Sequence, residues 1–260
     1  MTNRTPLPRK PFNPTPVWLS AWIAVLWLIV VDLDISFQAL AWGLADIGEY
    51  FGRYGDPDFS DLSRYLKLLA QTIATAIWGT FFALVVAFAL APFAARNLTT
   101  GPRAYRIARE ILSFMRAMPD LLLALIFVAA MGLGPLPGSL ALGVHTAGFL
   151  GKFFAESLER VDPGVIEAVR AVGGDHTQVV MYAGWPSILR EALGYTLYIM
   201  DRNVRMAAVL GLVGAGGIGL ALHDTLRLFK YDESAALIAV ILATLLAFDY
   251  LSTWLRGKLQ

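Results

Sequence analysis

The chain of 260 residues is 57% hydrophobic and 16% charged, carries a formal net charge of +1 and has a mean hydropathy of +0.59. Soluble domains keep about a quarter of their residues charged, so this composition excludes an ordinary soluble protein and predicts an all-α integral membrane protein. At ~20 apolar residues per span, the length holds about six transmembrane helices and no separate soluble domain. The absence of cysteine excludes disulfides, thiol redox chemistry and thiolate-bound metal, and the near-neutral charge offers no support for a nucleic-acid partner.

Residues 1–16 carry Arg4, Arg9 and Lys10, five prolines and no acid, which predicts a disordered cytoplasmic tail. Residues 17–41 are expected to form the first transmembrane helix, with Asp32 and Asp34 at the outer interface; a cleaved signal peptide ending at Ala39-Leu40-Ala41 is the alternative, opposed by two aspartates close behind the apolar run. Residues 42–65 mix Trp42, Tyr50, Phe51, Tyr54 and Phe59 with acids and predict an extracytoplasmic interfacial segment. The transmembrane core is expected over 66–255. Its first helix, 66–91, is closed by Pro92 and marked by Thr72, Thr75, Gly79 and Thr80 as a packing face. Residues 96–116 hold five arginines against Glu110, a cytoplasmic signature that includes an amphipathic stretch at 107–115. Spans at 120–131 and 139–155 follow, joined by a tight outer turn at 132–138, and then a polar loop at 156–190. Spans at 188–213 and 234–255 precede a short cytoplasmic tail, 256–260. This layout puts fourteen of the twenty-one Lys and Arg residues inside and five outside, which predicts both termini in the cytoplasm.

Within the loop, residues 167–186 form a polar island between apolar segments. Glu167, Ala168 and Val169 sit in a good helix-forming context, Gly173 and Gly174 break it, a helical pattern resumes at 176–182, and Pro186 is expected to stop it. Small residues at Ala168 and Ala171 admit a close partner, Glu167 supplies a rim charge and Gly173 permits the positive φ that turns the chain. A helix-turn-helix offered to another protein follows, with docking rather than chemistry as its task.

Arg202, 14 residues beyond Ile188, lies roughly 21 Å along its helix and so within the hydrocarbon. A cation there is expected to face the bundle interior and to mark a pathway or a buried pair. Arg202 and Arg205 share a face at i,i+3 and could present forked donors to an anion together with Asn203, while Asp201 and Arg205 at i,i+4 could instead form an internal salt bridge. Beyond them, Gly214, Gly216, Gly217 and Gly219 literally match a dinucleotide fingerprint, but no strand precedes them. Unwound backbone there could cradle an anion, or Ala207, Gly211 and Ala215 could pack helices closely. His145 is a further pathway candidate or a packed hydrogen-bonding group.

The loop resembles the EAA loop of binding-protein-dependent ABC importer permeases: Glu167, Ala168, Gly173 and Pro186 fall on its pattern, whereas Val169, Ala183 and Trp185 depart from it. With Asp56-Pro57-Asp58-Phe59-Ser60, Ala91-Pro92-Phe93, Gly132-Leu133-Gly134-Pro135, His145-Thr146, Arg202-Asn203-Val204-Arg205 and the glycine run, the chain is similar to the phosphonate-type subgroup over about residues 56–256. The resemblance implies a type I importer in the bacterial inner membrane: two copies of this permease, two cytoplasmic ATPase subunits and an extracytoplasmic solute-binding protein. It implies Glu167, Ala168, Val169, Ala171, Gly173, Gly174, Trp185 and Pro186 as the ATPase-coupling residues. Mg-ATP would be bound by the partner ATPase, and no cofactor by this subunit. A methionine-type or sulfonate-type permease is the transport alternative. An integral membrane enzyme is the other, but no His-x-x-Glu-His, His-Glu-x-x-His or repeated aspartate motif occurs, so no catalytic or metal-binding residue is expected.

Overall fold

A computed structural model describes residues 14–32 and 37–259, and all of the regular structure among them is helical. The chain divides into two compact units, Met1–Arg53 and Tyr54–Gln260. In the first, α1 (Thr15–Asp32) is apolar on all sides and buries none of its residues, as a helix clad in lipid requires. Its 18 described residues, at ~1.5 Å each, approach the ~30 Å hydrocarbon thickness, and residues 33–36 of the expected first span lie outside the described residues. Asp34 lies outside the described residues, as does the tail through residue 13. A second helix, α2 (Phe37–Gly52), crosses the expected boundary at 41.

The second unit is built on α3 (Leu62–Ala94) and α6 (Pro135–Glu159), which pack along their length. Thr72, Thr75 and Thr80 are buried on α3 as expected, in line with Ala76, Ala83, Ala87 and Ala91. The helices meet at glycines. A Cβ on Gly79 would lie 2.7 Å from the Leu142 Cβ, and one on Gly143 would lie 2.9 Å from the Phe82 Cβ. Pro92 does not end α3, which runs two residues further; near a helix end its missing N–H forfeits one bond only. Before α3, the Asp58 carboxylate accepts the Ser60 N–H at 2.8 Å, which holds its carboxyl below the ordinary range.

Between these two helices come α4 (Pro102–Ala117) and α5 (Asp120–Met131), bent by 84° at Met118-Pro119. Together the two helices have the length and apolar composition of one span, interrupted by this bend. The turn expected at 132–138 shrinks to Gly132–Gly134, because Pro135 starts α6 in a turn where no N–H is needed. After α6 come α7 (Pro163–Ala171), the short α8 (His176–Gln178), a π-helical turn (Val179–Gly184), α9 (Trp185–Gly211), α10 (Gly217–Arg227) and α11 (Tyr231–Leu259). Helix α11 absorbs the tail expected at 256–260 up to Leu259.

Among the described residues, three helices are long and apolar enough to cross a membrane alone, Thr15–Asp32, Leu62–Ala94 and Tyr231–Lys258, and the bent α4–α5 pair qualifies jointly. Helices α6 and α9 have the length, at 25 and 27 residues, but carry more polar groups. Of those groups, Ser139, His145, Thr146, Ser157, Asp201 and Asn203 are buried in the bundle interior, where the site lies.

Candidate functional site

Asn203 on α9 is 0% exposed, so each of its polar atoms needs a partner. Its Nδ2 donates to Thr80 Oγ1 on α3 at 2.9 Å, and its Oδ1 accepts from Thr146 Oγ1 on α6 at 3.0 Å. Thr80 in turn donates to the Ala76 carbonyl at 2.8 Å. One amide thereby fixes the register of three helices in mid-bundle.

Arg202, one residue earlier, turns toward α6. His145 Nδ1 lies 2.7 Å from the Met118 carbonyl, which can only accept, so Nδ1 carries a proton and donates. In the neutral ring Nε2 is then left as the acceptor for Arg202 Nη2, 3.0 Å away. The Met118 carbonyl is free because α4 stops there, with ψ at 120°. The Arg202 guanidinium carbon lies 4.9 Å from the Phe149 ring centroid, and that of Arg116, from the last turn of α4, lies 4.8 Å from the same centroid. The two carbons are therefore at most 9.7 Å apart, the sum of those distances. At an effective dielectric near 20 that separation corresponds to about 1.7 kcal/mol of repulsion, reduced by solvent screening because the Arg116 side chain is exposed. Among the described residues no carboxylate forms an ion pair with either arginine, and Arg202 Nη1 is buried without a hydrogen-bond partner.

Arg205 does not join them. It pairs with Asp201 at 2.5 Å, the salt bridge anticipated from the i,i+4 spacing, and also with Asp249 of α11 at 3.2 Å. Three residues advance a helix by about 300°, so the two arginines differ by about 60° in direction, enough to send one toward α6 and the other toward α11. The shared face expected for them is thus divided between an unpaired cation and a paired one.

His145, Phe149 and Phe153 form an aromatic stripe one turn apart on α6, with ring centroids 5.2 and 6.4 Å apart in sequence, and Phe153 stacks on Tyr195 of α9 at 4.9 Å. The stripe leads from Arg202 to a cavity lined by Phe153, Ser187, Arg190, Tyr195, Tyr198 and Arg256, among others.

The glycine turn is a packing device. Gly214, Gly216 and Gly217 adopt φ of +96°, +78° and +71°. A Cβ on Gly217 would fall 2.2 Å from Thr72 Oγ1. The N–H groups of Gly214, Ala215 and Ile218 are already bonded, to the Gly211 and Leu210 carbonyls and to Thr72 Oγ1, so these amides do not form the anion cradle considered from sequence. Gly211 fits its packing alternative: a Cβ there would lie 2.6 Å from Gly219 Cα. Gly216 and Gly217 also line a surface cavity with Arg64, Gln71 and Asp224, away from Arg202 in sequence and contact.

The polar loop is capped at every break. Asp162 accepts the Gly164 N–H and starts α7, whose Ile166 is buried against the bundle. At its end the N–H of Gly174 bonds the Val169 carbonyl and that of Gly173 bonds Arg170, a Schellman closure with Gly173 at φ +88°. Asp175 and Gln178 form a reciprocal capping box. Pro186 does not stop the chain: the π-helical turn runs straight into α9, and Pro186 occupies the first turn of that helix. The wider i→i−5 register, seen in the Trp185 N–H bond to the Val180 carbonyl, accommodates the missing donor. Glu167, Ala168, Ala171 and Gly173 are exposed, Val169 and Gly174 half-buried. Trp185 lies off this exposed face: it is buried, stacked on Phe88 at 4.2 Å and edge-on to Phe154 at 5.7 Å. The exposed apolar residues of this face are instead Val172 at 86% and Tyr182 at 72%, with Val165 and Met181. A hydrophobic residue placed beside Gly173 was the available signal for Val172.

Two ion pairs join the loop to the bundle. Glu159 accepts from Arg109 at 3.0 Å and from the Arg96 N–H at 3.0 Å, and Arg160 pairs with Glu191 of α9.

Residues 87–260 match the family described as binding-protein-dependent transport system inner membrane component. The chain is 42% identical to a phosphite transport system permease protein of Stutzerimonas stutzeri, over 82% of this chain and 78% of the relative. It is 40% identical to a phosphate-import permease protein of Mycolicibacterium smegmatis over 88% of this chain, spanning 43% of that longer protein. A chain of the MetNI methionine ABC transporter, in an inward-facing conformation, superposes with a TM-score of 0.66 over 78% of this chain and 99% of its own, at 18% identity, a likeness of fold alone.

Proposed function

The chain belongs to the binding-protein-dependent transport system inner membrane component family, a non-enzymatic multi-pass permease, and on that premise we propose that it carries phosphonate, phosphite or a related phosphorus oxyanion through an ATP-driven importer. The observation that carries the substrate class is Arg202: a mid-bundle guanidinium with a buried, unpartnered Nη1 and, among the described residues, no ion-pair partner, since the adjacent Asp201 pairs with Arg205. Such a group is completed by an anionic oxygen. Relatives assigned to phosphite and phosphate import agree with it.

In this reading Arg202, Asn203 and His145 stand on the pathway, Asn203 by holding α9 in register. The exposed loop face of Glu167, Ala168, Ala171 and Gly173 docks in the cytoplasm on a separate ATPase, which alone binds Mg-ATP. Because the π-helical turn makes loop and α9 continuous, and Trp185 is wedged between α3 and α6, closure of two ATPase subunits would tilt the bundles of two permease copies between inward-open and outward-open states. An extracytoplasmic binding protein delivers the ligand. Import of a dianion against a negative-inside potential costs about 4.6 kcal/mol per 100 mV, so an energy source is required.

The test is reconstitution of the permease with its ATPase and candidate binding proteins, scoring which loaded ligand stimulates ATP hydrolysis. Stimulation by phosphonate- or phosphite-loaded protein is expected. Stimulation by methionine- or sulfonate-loaded protein alone would reject the substrate class.

A further inference from the structure

Arg116 belongs to no motif of the docking loop or of α9, yet it shares the Phe149 ring with Arg202 at nearly equal distance, 4.8 against 4.9 Å. The two guanidinium groups come from different helices, α4 and α9, and are held over one side chain of α6. Three features of this corner are unresolved by the protein alone. Two cations lie within 9.7 Å of each other by the sum of those distances. Neither forms an ion pair among the described residues: the acid nearest Arg116 in sequence, Asp120, accepts the Leu121 N–H at 3.0 Å, and Asp201, next to Arg202, pairs with Arg205. Arg202 Nη1 is buried with no acceptor. His145 relieves one Arg202 donor but, as a neutral acceptor, supplies no negative charge.

One ligand removes all three: a group with at least two anionic oxygens, small enough to lie beside Phe149 and reach both forks. A singly charged ligand cancels one cation and leaves the other opposed only by the ring quadrupole. We infer that Arg116 and Arg202 form a two-arginine clamp across Phe149 for a doubly charged tetrahedral oxyanion, and that Arg116 sets the preference for dianion over monoanion. The inference rests on the oxyanion-permease reading and adds to it the charge state recognised and the residue that recognises it.

The experiment compares uptake of methylphosphonate and of its singly charged monomethyl ester at alkaline pH, each presented by saturating binding protein to the complete transporter in proteoliposomes. Arg116→Gln is expected to lower methylphosphonate uptake at least about tenfold while ester uptake changes less than about twofold and basal ATP hydrolysis is kept; Arg116→Lys, which retains the charge, recovers the dianion to within about threefold. An equal fall for both ligands means that Arg116 only supports the fold, and unchanged dianion uptake means that it does not meet the ligand; either overturns the clamp. If the Gln variant does not assemble with the ATPase, Arg116→Lys decides alone: dianion uptake retained upholds the clamp, and its loss with intact ATP hydrolysis refutes it. A wild-type transporter that imports neither ligand but imports an uncharged or zwitterionic one would instead refute the oxyanion reading on which the clamp stands.

Discussion

The central charges of α9 show how one helical step separates two roles. Asp201 is 6% exposed and its neutralisation depends on Arg205, whose own side chain is half exposed and so contributes less than a fully buried partner would. Arg205→Gln should therefore lower the midpoint of thermal unfolding in detergent by leaving Asp201 uncompensated, and Asp201→Asn in the same chain should restore most of the loss. A double variant no more stable than Arg205→Gln would show that the pair does not act as a unit. Asn203→Ala removes the amide that bridges Thr80 and Thr146, leaving two buried hydroxyls to rearrange. A cost of about 1–3 kcal/mol is expected in the same melt, and a change within error would mean that Asn203 does not set the register of the three helices.

At the scale of elements, the loop is stiff because each of its breaks is closed by its own residues. Gly173 at φ +88° has no atom within 4 Å of a would-be Cβ, so a substitution there is opposed by backbone strain alone and not by crowding. Gly173→Ala should cost about 1 kcal/mol and Gly173→Asn less, since asparagine tolerates the left-handed region; equal costs would mean that the turn is re-formed another way. Trp185 sits on the opposite side of the same element. Its truncation to alanine empties the space between Phe88 and Phe154, and a loss of about 3–5 kcal/mol is expected. Glu167→Lys, on the exposed face, should leave the melt unchanged while abolishing co-purification of the ATPase and uptake together. Retained co-purification would remove Glu167 from the docking surface.

For the molecule as a whole, the two ends of the bundle are chemically distinct. One end carries Gly132–Gly134 and the glycine turn, joined by the Gly134 N–H bond to the Gly214 carbonyl at 3.0 Å; the other carries the capped loop and its arginine–glutamate pairs. Because the chain has no cysteine, single cysteines report sidedness directly. Val172→Cys, on the loop face, should react with a membrane-impermeant maleimide only in inverted vesicles, and Leu133→Cys, 73% exposed at the far end, only in right-side-out ones. The reverse pattern would invert the topology and detach the loop from any cytoplasmic ATPase.

Composition and spacing were enough for what depends on solvent and on neighbours along the chain. The apolar content called for a helical membrane protein, because unpaired backbone is intolerable in lipid; the threonines of α3 were legible as a packing face; the Asp201–Arg205 pair and the turn at Gly173 followed from local geometry. Pro92 and Pro186 misled because proline costs a helix little in its last or first turn, and a one-letter string does not reveal which turn it occupies. Only the tertiary structure could part Arg202 from Arg205, seat Trp185 in the core, set Gly217 against Thr72 and bring Arg116, from a helix more than 80 residues away in sequence, to the ring that holds Arg202. Those outcomes depend on which helix lies beside which, and that arrangement is decided by interdigitation at glycines such as Gly79 and Gly143, where the absence of a side chain lets two backbones approach.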